Sequence, residues 1–160
     1  MFPTKCPPCT LISLNTKYDP SFHSYVGRLL GPLRDNDILL LGTGGAVHNL
    51  FRNYWPQLVI WRNNFAQEVP PSDWAINFRQ VVYDVMTKRR PDDDDGEQLR
   101  EGIVRLMHHP LFRDAHGTDD HYMAACYIAG AARKGDSGLC TSEVWELRNM
   151  CNSQYTLGEW

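Results

Sequence analysis

At 160 residues, with 42% hydrophobic, 22% charged and 11% aromatic side chains, the chain has an ordinary globular composition, which excludes disorder throughout; a chain of this length buries roughly 70% of its unfolded surface. Its formal charge of −3 supplies no broad cationic field, and the basic triplet Lys88-Arg89-Arg90 is answered at once by Asp92-Asp93-Asp94-Asp95, so no nucleic-acid partner is expected. No apolar stretch approaches the roughly 20 residues of a membrane span, and no charged region followed by an apolar core opens the chain; the expectation is no membrane partner and a cytoplasmic location.

The five cysteines, at positions 6, 9, 126, 140 and 151, are an odd and scattered set unlike a disulfide framework, and reduced thiols are expected. Cys6-Pro-Pro-Cys9 has the spacing of half a zinc site or of a redox pair, without a second half or a βαβ context.

Thr10 to Leu14 reads as a short strand entering a turn at 15–20. Tyr25, Val26, Leu29, Leu30 and Leu33 then recur at helical spacing. Asp37 to Leu41 is a continuous apolar run after its first residue, the pattern of a central strand covered on both faces. It ends in Gly42-Thr43-Gly44-Gly45, followed by Ala46-Val47-His48-Asn49-Leu50. Ligands in open α/β sheets bind at the carboxyl ends of strands, which makes His48 the best-placed polar residue of this stretch. Residues 51–71, rich in Asn, Pro and Trp, suggest a long ordered loop. Ser72 or Asp73 caps a helix through Trp74, Phe78, Val81, Val82 and Val85. The acidic run is a solvated turn. Glu97 to His108 is a further amphipathic helix closed by Pro110, and Asp119 to Arg133, rich in Ala, reads as a buried helix. Beyond it the tail carries only a short helical signal at Ser142 to Met150. No linker divides the chain, so residues 1–160 are expected to form a single domain.

Of the six histidines, His23, His108 and His109 fall within or at the ends of helices and read as structural. His121 differs. With Thr118 as cap it sits in the first turn of the buried helix, whose positive end disfavours an imidazolium and leaves the neutral ring a divalent metal requires. His116, five residues earlier, is roughly 140° away around a helix, so it converges with His121 only from the preceding loop. His48 and His121 together form a two-ligand set that specifies no reaction by itself.

A family resemblance is carried by Met1-Phe2-Pro3, Leu11-Ile12-Ser13-Leu14, Phe22-His23, Gly27, Leu33-Arg34-Asp35, and Leu39 to Leu50 with Gly42, Gly44 and His48-Asn49-Leu50. It continues through Pro71, Trp74-Ala75, Phe78, the segment His116 to Ala132, and Tyr155-Thr156-Leu157-Gly158. These resemble the later half of class III extradiol ring-cleavage dioxygenases of the DOPA-4,5-dioxygenase branch. The resemblance implies an α/β fold, a three-layer α/β/α arrangement around a central sheet, incomplete relative to the family domain. It also implies insertion of O₂ into a catechol such as DOPA at a non-heme divalent metal, Fe(II) or Zn(II). His121 would correspond to the family's carboxy-terminal metal ligand, His48 to the active-site histidine that handles substrate protons, and His116 to a weaker candidate behind the ligands. The family's two other metal histidines align upstream of Met1, so a truncated, inactive homologue that binds no metal alone is the alternative expectation. Gly117 and Ala124 stand where the family has proline, and Asp120 where it has glutamate. An exposed sheet edge would favour self-association into a homo-oligomer.

Overall fold

The structure, a computed structural model, describes residues 4–88 and 95–158. Met1-Phe2-Pro3, Arg89, Arg90 and Asp92 to Asp94 lie outside the described residues, so the basic triplet and the acidic run are placed only in part. The chain adopts the mixed α/β class expected of it: six α-helices and a two-stranded antiparallel sheet among the described residues. None of these helices is long and apolar enough to cross a membrane.

Helix α1 spans Pro20–Leu30. Asp19 starts it by accepting hydrogen bonds from the Ser21 and Phe22 N–H groups, with Pro20 in the first turn. Its expected apolar face is turned outward, with Tyr25 58% and Leu29 59% exposed, while Ser24 and Gly27 are buried. The reason is a main-chain contact with α6 (Asp120–Gly130): a Cβ on Gly27 would lie 1.9 Å from the Tyr127 carbonyl oxygen, so only a glycine lets the two helices come this close. Ser24 and Gly27 thus occupy the packed face with His23, while Val26 and Leu30 are partly buried and Tyr25 and Leu29 are left outside it.

After a 3-10 turn at Gly31–Asn36, Ile38 to Leu41 lies outside any helix or strand, with Leu39 and Leu41 half-exposed. The run has the apolar character of a central strand, yet no described strand pairs with it. Thr10 to Leu14, expected as a short strand, likewise lies outside any helix or strand. Within the expected loop at 51–71, Pro56–Trp61 forms a short helix, α2.

Helix α3 (Asp73–Thr87) buries Ala75, Phe78, Val82 and Met86 at helical spacing, and α4 (Glu97–Leu106) buries Leu99, Ile103 and Leu106, as the sequence indicated. A four-residue helix, α5 (Phe112–Ala115), leads to α6. These side chains, with Tyr122, Met123, Cys126 and Ala129 of α6 and with Val47 and Cys151, make up the core. Each large apolar side chain fully buried there contributes about 1.5–3 kcal/mol.

The tail corrects the sequence reading. Ser142 to Met150 is not helical: β1 (Gly138–Glu146) and β2 (Met150–Leu157) form a hairpin, pairing Trp145 with Cys151 and Val144 with Asn152. The β-branched and aromatic residues Thr141, Val144, Trp145, Tyr155 and Thr156 suit a pleated surface, and the turn between the strands places Leu147 and Arg148 at positive φ. The sheet continues by isolated bridges: Val47 pairs antiparallel with Cys151, and His48 pairs parallel with His116. These bridges carry His48 from the sheet towards α6.

Candidate functional site

Two short segments meet at the site. The loop at 42–45 lies directly on the first turns of α6, where a Cβ on Gly44 would stand 2.0 Å from the His121 carbonyl oxygen. His48 follows at once and is fixed by its backbone: its N–H donates to the Ala115 carbonyl at 2.8 Å, while Val47 and Cys151 exchange bonds of 3.2 and 3.0 Å. Buried Asn49 holds the next turn, donating to the Asp114 carbonyl at 2.9 Å and accepting from the Phe51 N–H at 3.1 Å. The histidine is therefore presented from a pinned backbone.

His121 comes from the first turn of α6. Thr118 does not cap that helix: the N-cap position is Asp119, without a side-chain cap bond, and the Thr118 hydroxyl donates to Asp120 Oδ1 at 2.5 Å. The imidazoles of His48 and His121 stack with ring centroids 3.7 Å apart and planes 13° from parallel. Both line one open cleft of about 330 Å³, with Thr43, Gly44, Gly45, Glu146, Met150 and Asn152. That size falls within the range of small-molecule sites. Burial lowers the His48 pKa, and the neighbouring His121 lowers it further, so the ring is neutral near pH 7 and able to accept a proton.

His116 lies behind the loop rather than in the cleft. It is fully buried, stacked on Phe112 at 4.9 Å and edge-on to Phe78 and Tyr122. Its Nε2–H donates to the Gly45 carbonyl at 3.2 Å, and its Nδ1 has no hydrogen-bond partner. Burial pushes its pKa down to about 4. The ring thus supports the glycine loop from the inside. His23 is structural as expected: its Nδ1–H donates to the Asp19 carbonyl and its Nε2 accepts from the Asn15 N–H.

Imidazole lone pairs lie in the ring plane, so two rings stacked 3.7 Å apart direct them side by side and do not converge on one ion at about 2.0–2.1 Å. Among the described residues no group of three His, Cys, Asp or Glu side chains could hold a metal ion. The described residues do not by themselves fit a metal centre.

Glu146, Met150 and Asn152 are not legible in the sequence, where Ser142 to Met150 gives a helical signal and Asn152 falls in a stretch without one. The Asn152 side-chain amide donates to Glu146 at 2.6 Å, and Asn64 donates to the same carboxylate, fixing an acidic group on the cleft wall. The signal that could have found them is the density of β-branched and aromatic residues in the tail.

No family model matches the chain. It is 27% identical over 131 residues to the 4,5-DOPA dioxygenase extradiol of Escherichia coli (strain K12), covering 82% of this chain and 42% of that protein. It is 26% identical over 148 residues to the 4,5-DOPA dioxygenase extradiol of Portulaca grandiflora, covering 92% of this chain and 48% of the relative. The chain therefore spans less than half the length of the curated relatives it matches. A crystal structure of an uncharacterized protein from Escherichia coli K12 shares the fold, with a TM-score of 0.67 at 24% identity over 85% of this chain and 49% of that one. The chain is thus similar to two proteins named 4,5-DOPA dioxygenase extradiol, and its partial coverage fits a resemblance to one half of their length.

Proposed function

We propose that the cleft between His48 and His121 is a catechol site of the extradiol type, belonging to an aromatic ring-opening dioxygenase-like protein. The observation that carries this reading is the pairing of the two imidazoles in one cleft, from segments 73 residues apart in sequence. His48, neutral and half-buried, accepts a proton from a catechol hydroxyl and returns it to the product. Gly44 and Gly45 form a side-chain-free wall against which a flat ring can rest. His121 is the residue this chain offers towards a divalent metal, Fe(II) or Zn(II). The described donors do not complete such a site, so no ring-opening step is derived through one. The substrate is a small-molecule catechol such as DOPA.

A second reading is a homologue that binds a catechol without turning it over. The stacked rings and the lack of a three-donor group among the described residues favour it. One experiment separates the two. The 160-residue chain is reconstituted with iron(II) under anaerobic conditions, then given DOPA or protocatechuate and oxygen. Stoichiometric iron and a yellow ring-opened product establish the enzyme. Catechol binding that His48→Ala weakens, with no iron retained and no colour, establishes the binding protein. No catechol binding at all rejects both.

A further inference from the structure

Outside the cleft, the feature that carries a further inference is the Cys6-Pro-Pro-Cys9 segment. The two Sγ atoms are 3.6 Å apart, in contact but unbonded, and both residues are exposed. The surrounding residues, 5–14, lie outside helices and strands and are exposed, so nothing packed resists a small rearrangement. Pro7 and Pro8 each fix φ near −65°, which narrows the conformations of the linker and keeps the two thiols facing. The other cysteines differ. Cys126 and Cys151 are fully buried, and Cys140 is turned to the Ser142 carbonyl at 3.6 Å.

We propose that Cys6 and Cys9 form a redox-active thiol pair, a site that reduces low-molecular-weight disulfides by closing into an intramolecular disulfide. The Cys9 thiolate attacks one sulfur of the small disulfide, forming a mixed disulfide and expelling one small thiolate. The Cys6 thiolate then attacks Cys9 Sγ, breaking the mixed disulfide and releasing the second small thiol. The two protein thiols give up two electrons and two protons, and the small disulfide becomes two thiols. The two roles are interchangeable, because either sulfur can donate in the contact between them. Closure brings the sulfurs from 3.6 Å to the bonded distance of about 2.05 Å, a displacement an exposed arm accommodates.

The test uses the full chain, reduced, then exposed to glutathione disulfide, acid-quenched and weighed intact. The expected product is lighter by about 2 Da, with the cross-link mapped between Cys6 and Cys9. Cys6→Ser and Cys9→Ser should instead each trap a glutathione adduct, and Cys140→Ser should behave as the parent. Each attack should remove two protein thiols in the parent and one in either single variant, so thiol loss should differ by about twofold, because the intramolecular second step follows at once. A stable glutathione adduct on the parent, or a disulfide-linked dimer, would overturn the proposal. Both serine variants should keep the parent melting temperature, since the segment is exposed, so loss of reactivity cannot be ascribed to unfolding.

Discussion

His48 and His121 lie ring on ring, 3.7 Å between centroids, one delivered by a sheet bridge and the other by the first turn of α6. Face-to-face imidazoles cannot both be charged at low cost, and burial already favours neutral His48. His48 is thus suited to accepting a proton, and the spacing of the two rings depends on how closely the glycine loop rests on the helix.

Gly44 tests that dependence. A methyl group there would meet the His121 carbonyl at 2.0 Å, so Gly44→Ala must push the loop off α6. The expected cost is about 1–3 kcal/mol, with a melting temperature lower by about 2–4 °C per kcal/mol for a chain of this size. Catechol binding should weaken by more than the stability loss accounts for. Thermal melts paired with calorimetric titration of a catechol check both; an unchanged affinity would show that the loop does not set the cleft.

Acid stability should report His116. Its pKa is about 4 in the fold against about 6.5 in an unfolded chain, so the unfolded state binds the extra proton first as pH falls. The stabilisation is complete above pH 6.5 and declines progressively as pH drops through 6.5 towards 4, to a limit of about 3 kcal/mol. Urea titrations at pH 7.5 and 4.5 measure the loss. His116→Gln, which cannot titrate, should flatten the dependence over this window while lowering stability at pH 7.5.

Asp136 joins three parts of the chain. It receives both guanidinium nitrogens of Arg34, at 2.6 and 3.1 Å, and the Arg133 N–H at 2.8 Å, while Arg34 also donates to the Ala131 carbonyl. The pair is mostly buried, with side chains 22% and 10% exposed. Asp136→Asn should cost about 2 kcal/mol or more, whereas Glu101→Gln, which removes an exposed partner of Arg105 on α4, should cost under about 0.5 kcal/mol. Equal denaturation midpoints for the two variants would refute the contrast.

Self-association is expected from the outer surface. Val59, Ile60 and Trp61 of α2 are 77%, 66% and 59% exposed, with Phe51 at 88%, and large apolar side chains left uncovered on one helix favour association. Light scattering at micromolar concentration should show a mass above 18.4 kDa, and Ile60→Lys should lower it. A clean monomer would count against the expectation.

The helices were legible where one apolar stripe met one core. Phe78 and Val82 on α3 and Leu99 and Ile103 on α4 show the helical period directly, because each helix packs on a single side. On α1 the rule failed because the contact with α6 is made by backbone and small residues, and periodicity counts only large ones. Positions 38–41 have the apolar content of an inner strand, but strand formation requires a neighbour, which a local pattern does not encode. His48 and His121 were legible through Asn49, Gly44 and Asp120 around them. The place of His116 behind the loop is implied by the family resemblance and not by spacing, since five residues leave the route of the intervening turn open.

Bare main chain against bare main chain, at Gly27 with Tyr127 and at Gly44 with His121, leaves α6 no slack to roll or slide independently of what rests on it. A flat guest entering beside His121 would find its wall already set, the disorder of that wall having been lost when the chain folded. Selectivity at such a surface would come from refusal: a substituent that needs the wall to yield is turned away, and one lying flush is admitted without induced adjustment.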